Sequence, residues 1–269
     1  MKNSLVWQFY RKHPDTIGTE GAKNPNYLIG TMHVRDERAF QFETLFRKAI
    51  YDCEVFATEF NLDDAQSGAG EMSMFLPEDQ SLKTLIPNKL YQKINAALVK
   101  KMGVHLAHFD RFKPIAVTNF LTESLFSNDR WLSLDETLWQ FAKENDKILR
   151  GIETFEEQLE VLSKMTLGDQ VRSLKETVKD FGSFQKQLTV MAKLYEKADI
   201  QKLYKAAKKS AKGGRKLLLY NRNYIMADRI EALTQENTVC AAIGAGHLAG
   251  AKGVLRLLKR KGFTIKPII

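Results

Sequence analysis

The stretch NYLIGTMHV, Asn26 to Val34, sets an apolar run against a glycine and then, three residues on, a histidine. The run reads as a buried strand that breaks at Gly30 and delivers His33 just past its end. VCAAIGAGHLAG, Val239 to Gly250, repeats the arrangement with Gly244 and His247. In both, glycine is read as permitting a tight backbone exit that re-aims the imidazole.

Upstream of the first run, SLVWQFY reads as a second strand, joined to it as a hairpin across the polar loop Arg11 to Pro25. Downstream, ERAFQFETLFRKAI has helical spacing, and CEVFATEF reads as a strand ending at Glu59. Strand, helix, strand favours a parallel pair with a right-handed crossover. After Glu59 the loop from Asn61 to Phe75 is placed to close over a substrate. PNKLYQKINAALVKK, FKPIAVTNFL and LSLDETLWQFAKEN read as helices, the last with Ser133 or Asp135 as N-cap. DKILRGIET, near 147–153, is a short strand ending at Glu153, and Thr154 with Glu157 restarts a helix. Residues 166 to 235 read as nearly unbroken helix, interrupted at Gly213 and Gly214. GAKGVLRLLKRK and GFTIKPII close the chain as a helix and a strand. The expected fold is α/β: one domain over residues 1–269, its central mixed sheet built from both ends of the chain. A helical insertion at approximately 76–235 lies between them.

At 269 residues, with 44% hydrophobic and 27% charged residues, the chain is long enough for a sizeable core. No apolar run approaches the roughly 18 residues of a membrane span. No secretory leader is evident, so the expected compartment is the cytoplasm, or outside the cell if a leader has been removed. The net charge of +9 is concentrated in YKAAKKSAKGGRK, Tyr204 to Lys216, which reads as a solvated helix face. It lacks interleaved aromatics and any nucleic-acid motif, so no nucleic-acid partner is expected. Cys53 and Cys240 lack metal-type spacing and read as two buried thiols, while a disulfide between adjacent strands stays open.

Four strand ends thus deliver His33, Glu59, Glu153 and His247 to the carboxyl edge of the sheet, where α/β proteins bind ligands. Two imidazoles and a carboxylate, His33, His247 and Glu59, make a first shell for a divalent metal: manganese, cobalt, zinc or iron. Such a metal would lower the pKa of a bound water, with Glu59 or Glu153 handling the proton. Arg222 and Arg229 lie seven apart on one face of LLLYNRNYIMADRIEAL, a helix that could turn an arginine or asparagine toward a developing oxyanion. His13, His105 and His108 have no carboxylate partner at helical spacing and read as surface or packing residues.

The sequence resembles the TraB/GumN family, which includes the Tiki proteins and is more distantly similar to erythromycin esterases. The resemblance rests on YLIGTMHV, VFATEF, LPEDQSLKTLI, FKPIAV, LDETLWQFAKENDKILRGIETFEEQLEVL, NRNYIMADRI and IGAGHLAGAKGVLRLLKRKGFTIKPI, in order along nearly the whole chain. It implies an α/β fold and, in Tiki-like members, divalent-metal-dependent hydrolysis. His33 and His247 match the paired GxxH histidines, Glu59 the strand-end glutamate, and Arg222 with Asn223 the polar pair of the late helix. Glu153 and Asp135 match further family positions. The expectation is a metallohydrolase cutting peptide or related amide or ester bonds, its partner a peptide or small molecule; a homodimer stays open. The resemblance also leaves room for a peptide-sequestering module, or a metal-free esterase with His33 as base.

Overall fold

A computed structural model describes residues 3–11, 25–65, 74–126, 129–211 and 214–269. In chain order its elements are β1 (Val6–Arg11), β2 (Asn26–Thr31), α1 (Glu43–Tyr51), β3 (Val55–Thr58), α2 (Leu62–Ala65), α3 (Leu82–Leu85), α4 (Asn88–Met102), α5 (Pro114–Glu123), α6 (Leu134–Glu144), β4 (Ile148–Gly151), α7 (Phe155–Ser163), α8 (Leu167–Lys179), α9 (Phe181–Glu196), α10 (Ile200–Ser210), α11 (Arg222–Leu233), β5 (Val239–Gly244), α12 (Val254–Arg260) and β6 (Phe263–Ile268). The sheet runs β4-β3-β5-β2-β1-β6. The four strands from β4 to β2 are parallel, while β1 pairs antiparallel with both β2 and β6. This is the mixed α/β sheet expected, with strands from both ends of the chain.

The hairpin pairing of β1 with β2 is present. Strands β2 and β3 are parallel but not neighbours, because β5 lies between them. The reason is burial. β5 is the run VCAAIG, fully buried over Val239–Ile243, and its small alanines suit the centre of a sheet covered on both faces. The register sets Thr31 beside Gly244 and Ala57 beside Ala241, so β2, β3 and β5 end on one edge.

The main core joins this sheet to α1, α6, α9, α11 and α12 through Phe9, Phe46, Phe56, Tyr195, Met226 and Leu255. Truncating a buried aromatic such as Phe56 to alanine would cost about 3–5 kcal/mol. A second cluster, including Leu82, Ile94, Leu98, Val117, Leu121 and Leu174, packs α3, α4, α5 and α8 among themselves. The long helical run read after residue 166 is three helices before the Gly213–Gly214 break. Asp180 caps α9 by accepting from Ser183 N–H, and Asp199 caps α10 by accepting from Lys202 N–H. Of that break, Gly213 lies outside the described residues.

In α10, Ile200 and Leu203 are buried while Lys202, Lys205 and Lys209 are exposed, the solvated face the sequence suggests. Cys53 and Cys240 are free and buried, and burial pushes the Cys53 thiol up to about 12. No helix among the described residues is long and apolar enough to cross a membrane. His13 and residues 66–73 of the presumed closing loop fall outside the described residues. His105 and His108 flank and enter a short 3-10 turn, Leu106–Phe109, next to the second cluster.

Candidate active site

Four parallel strands bring polar groups to one edge within three residues of their ends: β2 leads to His33, β3 to Glu59, β4 to Glu153 and β5 to His247. Beyond β3 and β4 the backbones stay paired. Ile152 N–H donates to Thr58 O at 2.8 Å and Glu153 N–H to Glu59 O at 2.7 Å, fixing the two glutamates relative to each other.

Helix α11 supplies the counter-charge. It follows a π-helical turn, Lys216–Asn221, a wider coil that often marks functional sites. Its first residue, Arg222, donates from Nη2 to Glu59 Oε2 at 2.6 Å and to Glu153 Oε2 at 2.5 Å. Its Nε reaches Glu153 Oε1 and Oε2 at 3.1 and 3.0 Å. Glu59 Oε1 accepts Gly244 N–H at 2.7 Å. The next residue, Asn223, is fully buried and donates from Nδ2 to Lys252 O at 2.7 Å. That bond orients the amide, leaving Oδ1 to accept from His247 Nδ1 at 2.5 Å. His247 therefore carries its proton on Nδ1, and its Nε2 lone pair is left for another partner.

Environment separates the two carboxylates. Burial works to raise the Glu59 pKa, but the Arg222 guanidinium and Gly244 N–H hold it down to about 2. For Glu153 burial prevails over Arg222, and the Glu59 charge adds to it, so its pKa is raised. His247 is pushed down to about 4 by burial and by Arg222, against the pull of Glu59. Two carboxylates thus share one guanidinium beside a neutral imidazole.

His33 is not bonded to this cluster. Its half-exposed ring places Nδ1 3.4 Å from Asp135 Oδ2, and Asp135 Oδ1 accepts from Thr31 Oγ1 at 2.7 Å. Burial lowers the His33 pKa, but Asp135, Glu136 and Glu123 outweigh it and raise it to about 9. Asp135 is not the N-cap of α6. Ser133 is, in a reciprocal capping box with Glu136. Thr31 and Asp135 are the neighbours of His33 that spacing alone missed. The usable signal was Thr31 lying two residues before His33.

The glycines do less turning and more making of room than their spacing suggested. Gly30 has no left-handed φ and belongs to β2; a Cβ there would come within 2.5 Å of Leu248 Cδ1 and 3.3 Å of Ala245 Cα. A Cβ on Gly244 would sit 3.1 Å from Glu59 Oε1 and 3.6 Å from His247 Cδ2. The first lets the two histidine loops pack together, and the second leaves space for a carboxylate. Arg229 contacts neither Glu59 nor His247. It clamps Glu157 with two bonds, 2.6 and 2.7 Å, and binds Ile152 O, bracing the turn that carries Glu153.

The model of the TraB/PrgY/gumN family matches residues 18–267. The chain belongs to that family. Among curated relatives, it is 26% identical to "Metalloprotease TIKI2" of Xenopus tropicalis, over 98% of this chain and 60% of the relative. It is 25% identical to "Metalloprotease TIKI1" of Danio rerio, over 98% and 63%, and 24% identical to that of Homo sapiens, over 98% and 62%. This family member thus spans about 60% of the length of the curated relatives it matches. No solved structure matches.

The donor chemistry of this family member suits a divalent metal. His247 has Nδ1 bonded to Asn223 Oδ1 and Nε2 turned elsewhere, the arrangement usual for metal-binding histidines, and His33 has Nδ1 3.4 Å from Asp135 Oδ2. The ionised Glu59 beside His247 also favours a cation. Among the described residues, however, no three His, Cys, Asp or Glu side chains converge on one metal position, and Arg222 occupies Glu59.

Proposed function

We propose that this protein is a hydrolase of peptide or related amide or ester bonds whose site takes up a divalent metal. The observation carrying this reading is a pair of strand-end carboxylates that share one guanidinium, Glu59 held low by it and Glu153 raised by burial in spite of it, beside a neutral imidazole with a free Nε2. The names of the metalloprotease relatives support it. His33, His247 and Glu59 would hold the metal, which would supply Lewis acidity and a more acidic water. Uptake sets the metal against Arg222 for Glu59.

The remaining chemistry belongs to the chain. Glu153, its pKa raised by burial, is the better suited of the two carboxylates to accept and return a proton. Arg222 is the nearest fixed positive charge for a developing oxyanion, and release from Glu59 would free one of its N–H groups for that task. Asn223 keeps His247 in the tautomer that exposes Nε2.

One observation favours a second reading. The chain Thr31–Asp135–His33 has the form of an oriented histidine, as a metal-free esterase would use. With its pKa near 9, that histidine would be protonated at neutral pH and act as an acid. Elemental analysis of protein purified without chelator, beside a His33→Ala, His247→Ala double variant, separates the readings. Near-stoichiometric metal in the wild type alone, with metal-stimulated peptide cleavage, is expected. Cleavage that persists in chelator would transfer the reaction to His33 and Asp135. Peptide binding without turnover in any metal would leave a sequestering module.

A further inference from the structure

Beyond the charged cluster, His33 opens onto a cleft of about 230 Å³ lined by Val34, Arg35, Glu123, Trp131, Ser133 and Glu136, among others. Whole-ligand pockets run roughly 300–1,000 Å³, so this one matches a single side chain. Trp131 is 92% exposed, whereas Trp7 and Trp139 are 2% and 4% exposed in the core. Its loop is not loose. Arg130 next to it makes a two-pronged salt bridge to Glu37 at 2.5 and 2.9 Å, and its guanidinium lies 4.8 Å from the centre of the Phe40 ring. Arg130 N–H also donates to Arg35 O, and Leu134 N–H to Val34 O. A large indole is held in water by an anchored loop, beside the candidate metal ligand His33.

The charges in the cleft are only partly matched. His33 faces Asp135, and Arg35 and His33 both act on Glu136, whose pKa is lowered chiefly by its capping bonds to Ser133, which outweigh burial. Glu123, at the end of α5, acts on His33 through space, but its carboxylate has no hydrogen bond or salt bridge among the described residues. A carboxylate without a hydrogen-bonded partner and an uncovered indole in one cleft are the two elements that recognise an organic cation.

We propose that this cleft receives a basic side chain, lysine or arginine, of a substrate peptide whose scissile bond lies at the charged cluster. The proposal rests on the hydrolase reading for the position of that bond, but not for the recognition itself. Trp131 supplies the ring face and Glu123 the counter-charge. Arg35 at the same cleft rejects a second cation and favours a carboxylate or carbonyl next to the basic residue.

The test uses three acetylated hexapeptide amides that differ only in a central Arg, Gln or Glu, titrated into chelator-treated full-length protein. With two tryptophans buried, acrylamide-accessible emission reports Trp131, and calorimetry gives the affinity independently. Tenfold or greater preference for Arg over Gln, weaker binding of Glu, and loss of most of that preference in Glu123→Gln are expected, with Trp131→Ala weakening the Arg peptide alone. Equal binding of the Arg and Glu peptides, no binding of any, or an unchanged preference in Glu123→Gln would overturn the proposal. The same peptides incubated with manganese-loaded protein keep the two readings apart. Preference without cleavage removes the hydrolase and leaves the subsite; cleavage indifferent to the central residue does the reverse.

Discussion

Arg222→Gln should destabilise the protein in a strongly pH-dependent way. The substitution leaves Glu59 and Glu153 side by side with no counter-charge. Carrying Glu59 from an ordinary 4.5 to about 2 corresponds to roughly 3 kcal/mol at neutral pH, at about 1.4 kcal/mol per pKa unit. Removing one partner of a buried ion pair costs roughly 3–5 kcal/mol by independent experience, so the two figures agree. The sign follows from the depressed pKa. The contribution is present above the unfolded value of 4.5 and is lost as pH falls toward about 2, leaving about 1.4 kcal/mol at pH 3. Glu153, raised by burial, works the other way and would be raised further without Arg222, which deepens the loss at pH 7 only. Calorimetric melts of chelator-treated protein should show Tm lower by about 6–12 °C at pH 7, with the gap at least halved at pH 3. A gap of under 2 °C at pH 7, or one of equal size at both pH values, would refute the pairing.

Asn223→Ala should cut metal affinity or turnover about 10–100-fold by releasing the His247 tautomer, measurable by competition with a chromophoric chelator. Asp135→Asn should return the His33 pKa from about 9 toward the usual 6.5, followed by imidazole NMR shifts in metal-free protein; an unmoved titration would exclude the contact. Gly244→Ala should push Glu59 from its place and weaken metal uptake with the fold retained, because the new methyl sits 3.1 Å from Oε1. Cys53 and Cys240 should stay unreactive to a thiol reagent at pH 8 until the protein is unfolded, since burial raises both thiols.

The strands were legible wherever apolar runs stopped at a polar residue, which is why Glu59, Glu153, His33 and His247 could be named with their edge of the sheet. Arg222 and Asn223 came from the resemblance together with helix spacing. What spacing could not carry is contact between distant elements. Asp135 reaches His33 across 102 residues because the first turn of α6 meets the segment leaving β2, and nothing local to either residue encodes that. The place of β5 between β2 and β3 was hidden for the same reason: strand order is set by competition among buried faces rather than by any one strand. The glycines misled because their spacing suggested a turn, while their use is to lack a Cβ where two loops and a carboxylate crowd together. The caps at Asp180 and Asp199 were readable, but unbroken helical periodicity masked them.

The central position of β5 has a consequence for how the molecule comes into being. β3 and β2 are made early, yet the sheet does not join them until residues 239–244 take the place between. As the chain leaves the ribosome, Glu59 and His33 therefore spend most of synthesis on separate fragments, each with an open strand edge. Such long-range closure is slow, and open edges invite aggregation in the meantime. The delay also has a protective side. Arg222, His247 and the two glutamates cannot meet until nearly all of the chain exists, so under the hydrolase reading a half-made molecule has no assembled site with which to cut its neighbours.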